Sequence, residues 1–488
     1  MTTRRIGLGF WTFALVFGLV VAIAYVSVPR ANAIPAFSRK YGTSCATCHS
    51  DFPELNDFGE AFKKNGFKFP KDDDMFVKEP PVMLGAKAQK DAFPNAIYPG
   101  EIPGTIPIAF RYSGFFNYNS RQPAPISQAN NNTFQPRTDL FAPNTFTIIA
   151  AGSMGPMFSF WIDDDISTGG SGADGGLGDG YLKVNDLGHY LGLPKDALNL
   201  RFGQFELDLP FSQARTINLT DYDVYDQMSV VCPPGGSLTC GAGTTNNPFV
   251  FGTPQRGIEI GGYPNDGNFS WSVAIVNGAN DSPAMRNSKD VYVRVSQKFN
   301  LERDSSVRKE IQAAGPTGPR DHSSLRVGAF YYHGQNTQNP NGVLDPSLPE
   351  LQETFYRAGG DFRFKYRKFE LYGLGMYGHD ENHSWTDSTP AFVSAPAVTF
   401  TGGFGQAEYW VYPWLIAIMR YDFVNSPTDQ LNGFSRYDTR NRFSPGFQWL
   451  VRANLKVAFE YQRRYEQPNL AGGFYRPNGF VTGIDYVF

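Results

Sequence analysis

Cys45-Ala46-Thr47-Cys48-His49 is the one stretch of this chain whose residue types and spacing specify a chemistry. Two thiols separated by two residues can each form a thioether with a porphyrin vinyl group. The histidine that follows is then placed to bind the iron as the proximal ligand. A redox dithiol would not need His49, and a zinc site would need two more ligands close by. The motif therefore predicts one covalent haem c, held by Cys45 and Cys48 with His49 on the iron.

The sixth iron ligand stays open. Met75 and Met83 are the nearest candidates, and thioether ligation would raise the potential. A residue from elsewhere in the chain or an open position are the alternatives. The other two cysteines, Cys232 and Cys240, lie far downstream. In an oxidising compartment they are expected to close a small disulfide loop, with a second metal site as the alternative. Asp163, Asp164, Asp165, Asp174 and Asp179 fall in a Gly-rich stretch read as a solvated outer loop, which could attract Fe²⁺ or Ca²⁺. His189, His322, His333, His379 and His383 are scattered and read as surface or girdle residues. There is no nucleophile–base arrangement and no phosphate loop.

The elements that must position the motif begin with an export signal. Arg4 and Arg5 precede an apolar run from Ile6 to about Val28, and Ala31-Asn32-Ala33 fits a cleavage site. Residues 1–33 read as a signal peptide, with an uncleaved anchor as the alternative. Residues 34–69 form the haem segment, in which Leu55, Phe58, Phe62 and Phe67 are expected to make a short helical face around the porphyrin. So short a segment cannot build a core without its cofactor. Residues 70–105, with Asp72-Asp73-Asp74 and repeated prolines, read as a linker.

The remainder, 106–488, reads as strands. The chain has 42 Phe, 25 Tyr and 51 Gly with only 18% charged residues, the balance of short amphipathic strands and turns. Val291, Val293 and Val295 alternate with Tyr292, Arg294 and Ser296, and Leu455, Val457, Phe459 and Tyr461 with Lys456 and Glu460. Connections alternate long and tight: 466–477, 426–440 and 379–398 against Arg452–Asn454, Tyr412–Trp414 and Tyr366–Lys368. Pro264–Gly267 and Met154–Pro156 fall on the tight side, while 300–323 and 188–197 break the rhythm. The longest outer loop spans roughly 208–255. The expected fold is an all-β transmembrane antiparallel barrel of about sixteen strands, between fourteen and eighteen, with a small N-terminal helical monohaem segment. A soluble β-protein is the alternative, but it would not need the loop rhythm. The terminal aromatic Phe488 resembles the end signal of bacterial outer-membrane barrels. A formal net charge of −3 offers no basic stripe for nucleic acid.

The flanks of the motif add a resemblance. Pro35-Ala36-Phe37-Ser38-Arg39 and Gly42 precede it; Pro53, Leu55, Phe58-Gly59, Phe62-Lys63 and Gly66-Phe67 follow it. This pattern, over Pro35–Phe67, resembles the fused monohaem cytochrome–porin family of outer-membrane iron oxidases. Ser38 and Lys40-Tyr41 stand where that family carries Ala and Gln-Thr. The resemblance implies a bacterial outer-membrane electron conduit with possible ferrous oxidase activity, taking electrons from extracellular Fe(II) and passing them to periplasmic c-type cytochromes. Outward electron delivery is the opposite direction. The alternative is an outer-membrane porin whose haem segment is a plug or redox gate. An electron path past a ~25 Å apolar band would require the haem segment to sit at least partly in the lumen.

Overall fold

Val291, Val293 and Val295 point outward and Tyr292, Arg294 and Ser296 are buried inward, so the usual apolar-in rule is reversed. The same inversion leaves Ile162, Phe202, Ile258, Ile275 and Met419 exposed on the outside. An apolar exterior around a polar interior is what a barrel in lipid requires. Tyr409, Tyr412 and Trp414 are exposed at one end, and the last two stack at 5.1 Å, as interfacial aromatics do.

The computed structural model describes residues 35–69, 73–83, 85, 87–95, 100–104, 106–120, 137–155, 157–168, 176–227, 249, 251–264, 267–278, 287–301, 323–338, 351–385, 392–425, 440–465 and 478–488. Sixteen antiparallel strands form one closed barrel. They are β1 Ile108–Asn119, β2 Thr138–Met154, β3 Phe158–Thr168, β4 Leu177–Val184, β5 Asn199–Phe205, β6 Gln255–Gly262, β7 Phe269–Val276 and β8 Asp290–Asn300, then β9 Ser324–Gln338, β10 Leu351–Tyr366, β11 Phe369–Trp385, β12 Phe392–Tyr412, β13 Leu415–Asn425, β14 Arg440–Arg452, β15 Leu455–Arg464 and β16 Gly479–Val487. β16 closes onto β1 in the register Val487↔Arg111 to Gly479↔Asn119. Phe110 and Phe488 exchange backbone hydrogen bonds of 2.7 and 2.8 Å at that seam.

The expected rhythm of connections holds, including its exceptions. The links β2–β3, β6–β7, β10–β11, β12–β13 and β14–β15 are tight, while β4–β5 and β8–β9 are long on the same side. Three readings need correction. The expected loop 379–398 is mostly strand, because β11 and β12 stay paired past a bulge at Asp380/Asn382 as far as Trp385↔Phe392. Asp163, Asp164 and Asp165 lie within β3, not in a loop: Asp163 and Asp165 face the lumen beside Trp161, where polar residues are normal. The long β5–β6 connection, expected outside, is folded into the lumen along 206–227 and 249–254. Leu207, Phe211, Ile217, Tyr222, Tyr225, Phe249 and Phe251 are all buried there.

Lumen-facing cations explain why that connection turns inward. Arg420 of β13 donates to the Thr220 and Asp221 carbonyls at 2.9 and 3.0 Å, and Arg442 of β14 to the Asp221 carbonyl at 2.9 Å. Tyr222 stacks on Phe404 at 4.1 Å and Phe211 on Tyr372 at 4.9 Å. Cys232, Cys240, Asp174 and His322 lie outside the described residues.

The N-terminal segment also lies in the lumen, against β3, β8 and β10. Helix α1 (Ala36–Tyr41) ends at Gly42 in the left-handed conformation, φ 61°. A 3-10 turn, Cys45–Thr47, is capped by Ser44, and helix α2 spans Asp57–Lys64. Phe37, Phe62 and Phe67 pack together at ring separations of 5.0 to 6.1 Å, and Tyr41 stacks on Phe69 at 4.1 Å. Phe67 reaches Trp161 of β3 at 5.7 Å. Ion pairs fasten the other side: Glu54 to Arg363 of β10 at 2.6 Å and Asp57 to Lys298 of β8 at 2.5 Å. The expected helical face is thus shared between α2, which carries Phe58 and Phe62, and its flanks, which carry Leu55 and Phe67.

Candidate functional site

Asn56 builds the ground around the motif. Its side chain accepts from the Gly59 amide at 2.8 Å, capping α2, and donates to the Thr47 carbonyl at 3.1 Å. Helix and motif are therefore held as one unit. Gly59 is required at their contact, because a methyl group there would overlap the Cys48 carbonyl.

Cys45, Cys48 and His49 all border one cavity of about 740 Å³. This lies within the ~300–1,000 Å³ range of ligand and cofactor sites. On the plug side its walls are Phe37, Leu55, Phe62 and Phe67. On the barrel side they are Arg111 of β1, Ile149 and Ala151 of β2, Trp161 of β3 and Lys456 of β15. Thr216, Asn218 and Asp221 of the inward loop close a third side. The two cysteines are free thiols, and burial pushes the Cys48 thiol up to about 12.

These residues fit a covalent haem. The walls are largely aromatic and aliphatic, and both thiols open on the cavity. His49 Nδ1 sits 3.2 Å from the Pro53 carbonyl, which must accept, so Nδ1 carries the proton and Nε2 keeps its lone pair. Burial also lowers the His49 pKa to about 4, holding the ring neutral as a ligand requires.

Met75 and Met83 are not brought to this cavity; they are 78% and 41% exposed in the linker, outside its lining. Among the described lining residues His49 is the only histidine and there is no methionine. Asp163, Asp165 and Asp179 line the cavity, but no group of three or more His, Cys, Asp or Glu positioned to hold a metal ion occurs among the described residues. His333 and His379 stand on the barrel wall, the latter against Tyr356 at 5.1 Å. His189 lies in the β4–β5 link and His383 in β11.

Arg111, Arg215, Lys456 and Lys63 are the cavity residues that sequence reasoning missed. Arg111 is held by Asp485 through hydrogen bonds of 3.0 and 2.8 Å, and Arg215 by Glu206 at 3.0 Å. Alternation alone could assign Arg111 and Lys456 to the lumen face. Nothing in the sequence sets Arg215, in a long loop, beside a motif far upstream.

No protein-family model and no curated protein matches the chain. Among solved structures it is similar to the outer-membrane channel DcaP of Acinetobacter baumannii, at 14% identity over 78% of this chain and 96% of that one, TM-score 0.47. It is also similar to OmpF of Salmonella typhi in complex with daunomycin, at 11% identity over 79% and 98%, TM-score 0.47. An anion-selective porin from Comamonas acidovorans matches at 11% identity over 78% and 98%, TM-score 0.46. The strand pairing itself defines the class: a porin-like closed barrel of sixteen strands. The similarity adds no functional argument to it.

Proposed function

We propose that this chain is a porin-like outer-membrane barrel whose lumen is plugged by an N-terminal segment carrying one covalent haem c. The observation that carries the reading is the Cys45, Cys48 and His49 triad opening on an apolar-walled cavity inside the barrel. The apolar exterior supports residence in the outer membrane, with lipid as its surroundings.

Two uses of this arrangement differ in what crosses the membrane. A porin with a plug or redox gate is supported most directly, because the closed sixteen-strand barrel is by itself a channel wall. The electron conduit is the finer proposal and rests on the motif and its cavity. When bound, the haem supplies one-electron Fe(III)/Fe(II) chemistry. Cys45 and Cys48 would anchor it, His49 would bind the iron, and Phe37, Phe62, Phe67 and Trp161 would exclude water. The donor would be extracellular Fe(II), as the N-terminal resemblance implies, and the acceptors periplasmic c-type cytochromes.

Removing residues 34–80 should raise single-channel conductance and abolish Fe(II)-dependent haem reduction in intact cells. If conductance is unchanged, the plug reading is lost. If Fe(II) fails to reduce the full-length protein while a periplasmic donor succeeds, inward electron flow from iron is lost and gating or outward delivery stands.

A further inference from the structure

A second cavity, of about 190 Å³, runs behind α2 against the barrel wall. Its lining mixes charged side chains, among them Asp57, Glu60, Arg201 and Arg294, with Leu207, Phe211 and Trp271. Arg201 Nε, Arg294 Nε and Glu54 Oε2 on it are buried and have no partner among the described residues. Buried polar groups in a polar space of this size call for bound water. One end lies at Tyr263, beside the tight β6–β7 link, on the side from which the N-terminal segment enters. The other end meets the haem-type cavity: Leu55, Lys63, Tyr181, Glu206 and Arg215 line both.

Lys63 stands at that junction. Unlike Arg215 and Glu206, which pair with each other, its ammonium makes no hydrogen bond or ion pair among the described residues. Building on the haem reading above, we propose that Lys63 takes up a proton when the cofactor is reduced, the proton arriving through the hydrated corridor behind α2. One electron enters the cavity from the donor, one proton from bulk solvent is relayed along the corridor water, which is left unchanged, and the Lys63 amine becomes an ammonium that offsets the added negative charge.

The surroundings suit a proton that comes and goes. Burial lowers the Lys63 pKa to about 8, and Arg215 pushes it further down, while Glu60 and Glu206 pull it up and Arg201 opposes them. Tyr181 of β4 also lines the junction, Asp179 of β4 lines the haem-type cavity, and Lys64 and Lys183 line the corridor near Tyr263. An added negative charge in the cavity raises the pKa of a nearby amine. Between its values in the oxidised and reduced states, one proton is taken up per electron.

The test is a spectroelectrochemical titration of full-length, haem-loaded protein with soluble mediators, from about pH 6 to about pH 10, spanning the ordinary lysine range. The wild-type potential should be level at the acid end and then fall with a slope approaching one proton per electron. Lys63→Met should be level throughout at the low, alkaline value. Lys63→Arg should be level at the high, acid value, because its charge never leaves. An unchanged haem absorption spectrum and unchanged protease protection of the linker verify that the plug is folded in each variant. A level wild-type potential, or a slope that survives in Lys63→Met, overturns the role of Lys63 and leaves the haem reading standing. Absence of covalent haem from the purified chain overturns both.

Discussion

Glu54 Oε1 of the plug accepts a hydrogen bond of 2.6 Å from Arg363 Nη2 of β10, and Arg363 Nε also lies 3.0 Å from Glu370. One guanidinium thus fastens the plug to the wall while neutralising the wall's own carboxylate. Replacing it, as in Arg363→Met, leaves the buried Glu54 without its ion-pair partner, while Glu370 keeps Lys365 at 3.5 Å. Breaking a buried pair in this way costs about 3–5 kcal/mol. The plug should become accessible to protease in its linker, and conductance should rise. Unchanged protection would mean that the aromatic contacts alone hold it.

Asp57 gives the docking a pH dependence. Burial pushes its carboxyl up, but Lys365 and Lys298 outweigh burial and hold it well below the usual carboxylate range. A lowered folded value contributes stability that is full above the unfolded pKa, about 4, and is lost as pH falls through the folded one. Acidification, not alkalinisation, should therefore release the plug from Lys298. The Asp57→Asn variant should show less of this acid sensitivity in bilayer conductance.

Cofactor attachment is expected to follow the thiols. Cys45→Ser or Cys48→Ser should leave one thioether and weaken attachment, and the double variant should lose covalent haem, as read by a pyridine haemochrome assay after denaturation. His49→Ala should keep attachment and change the absorption spectrum. Full covalent loading of the double variant would remove the assignment.

Gly59→Ala should damage the crevice without touching a ligand. Its methyl group meets the backbone carbonyl of Cys48, which cannot swing aside as a side chain could. Overpacking of this kind costs about 1–3 kcal/mol. The plug should melt at a lower temperature while the barrel keeps its gel mobility.

Arg420→Met should free the inward loop. Arg420 is fully buried and serves Thr220, Asp221 and Asp422 together. Proteolysis within 206–227 should appear in the variant and be absent from the wild type.

Much of this architecture was legible in the sequence. Period-two alternation and the tight turns point to a barrel, and the alternation holds in β8, β15 and β16. The candidate haem motif is readable because five adjacent residues carry it, and the fold brings Cys45, Cys48 and His49 to one cavity. The inward course of 206–227, 249 and 251–254 was not, since Leu207, Leu209 and Phe211 look the same whether a long loop covers the outside or fills the lumen. Partners far downstream, Arg420 and Arg442 with Tyr372 and Phe404, decide that. Asp163 and Asp165 misled for the opposite reason: in a barrel with a polar interior, lumen-facing carboxylates resemble a solvated loop.

The crevice beside Cys45 and His49 is coded by stretches of chain that lie at opposite ends of the sequence, from Phe37 through Trp161 and Arg215 to Lys456. The N-terminal piece is therefore not an interchangeable cassette. Grafted onto a different barrel it would keep its thiols and its imidazole and lose the far wall. A change of size at Phe62 or Phe67 therefore calls for an opposite change at Trp161 or Ala151, which pack in the same cluster.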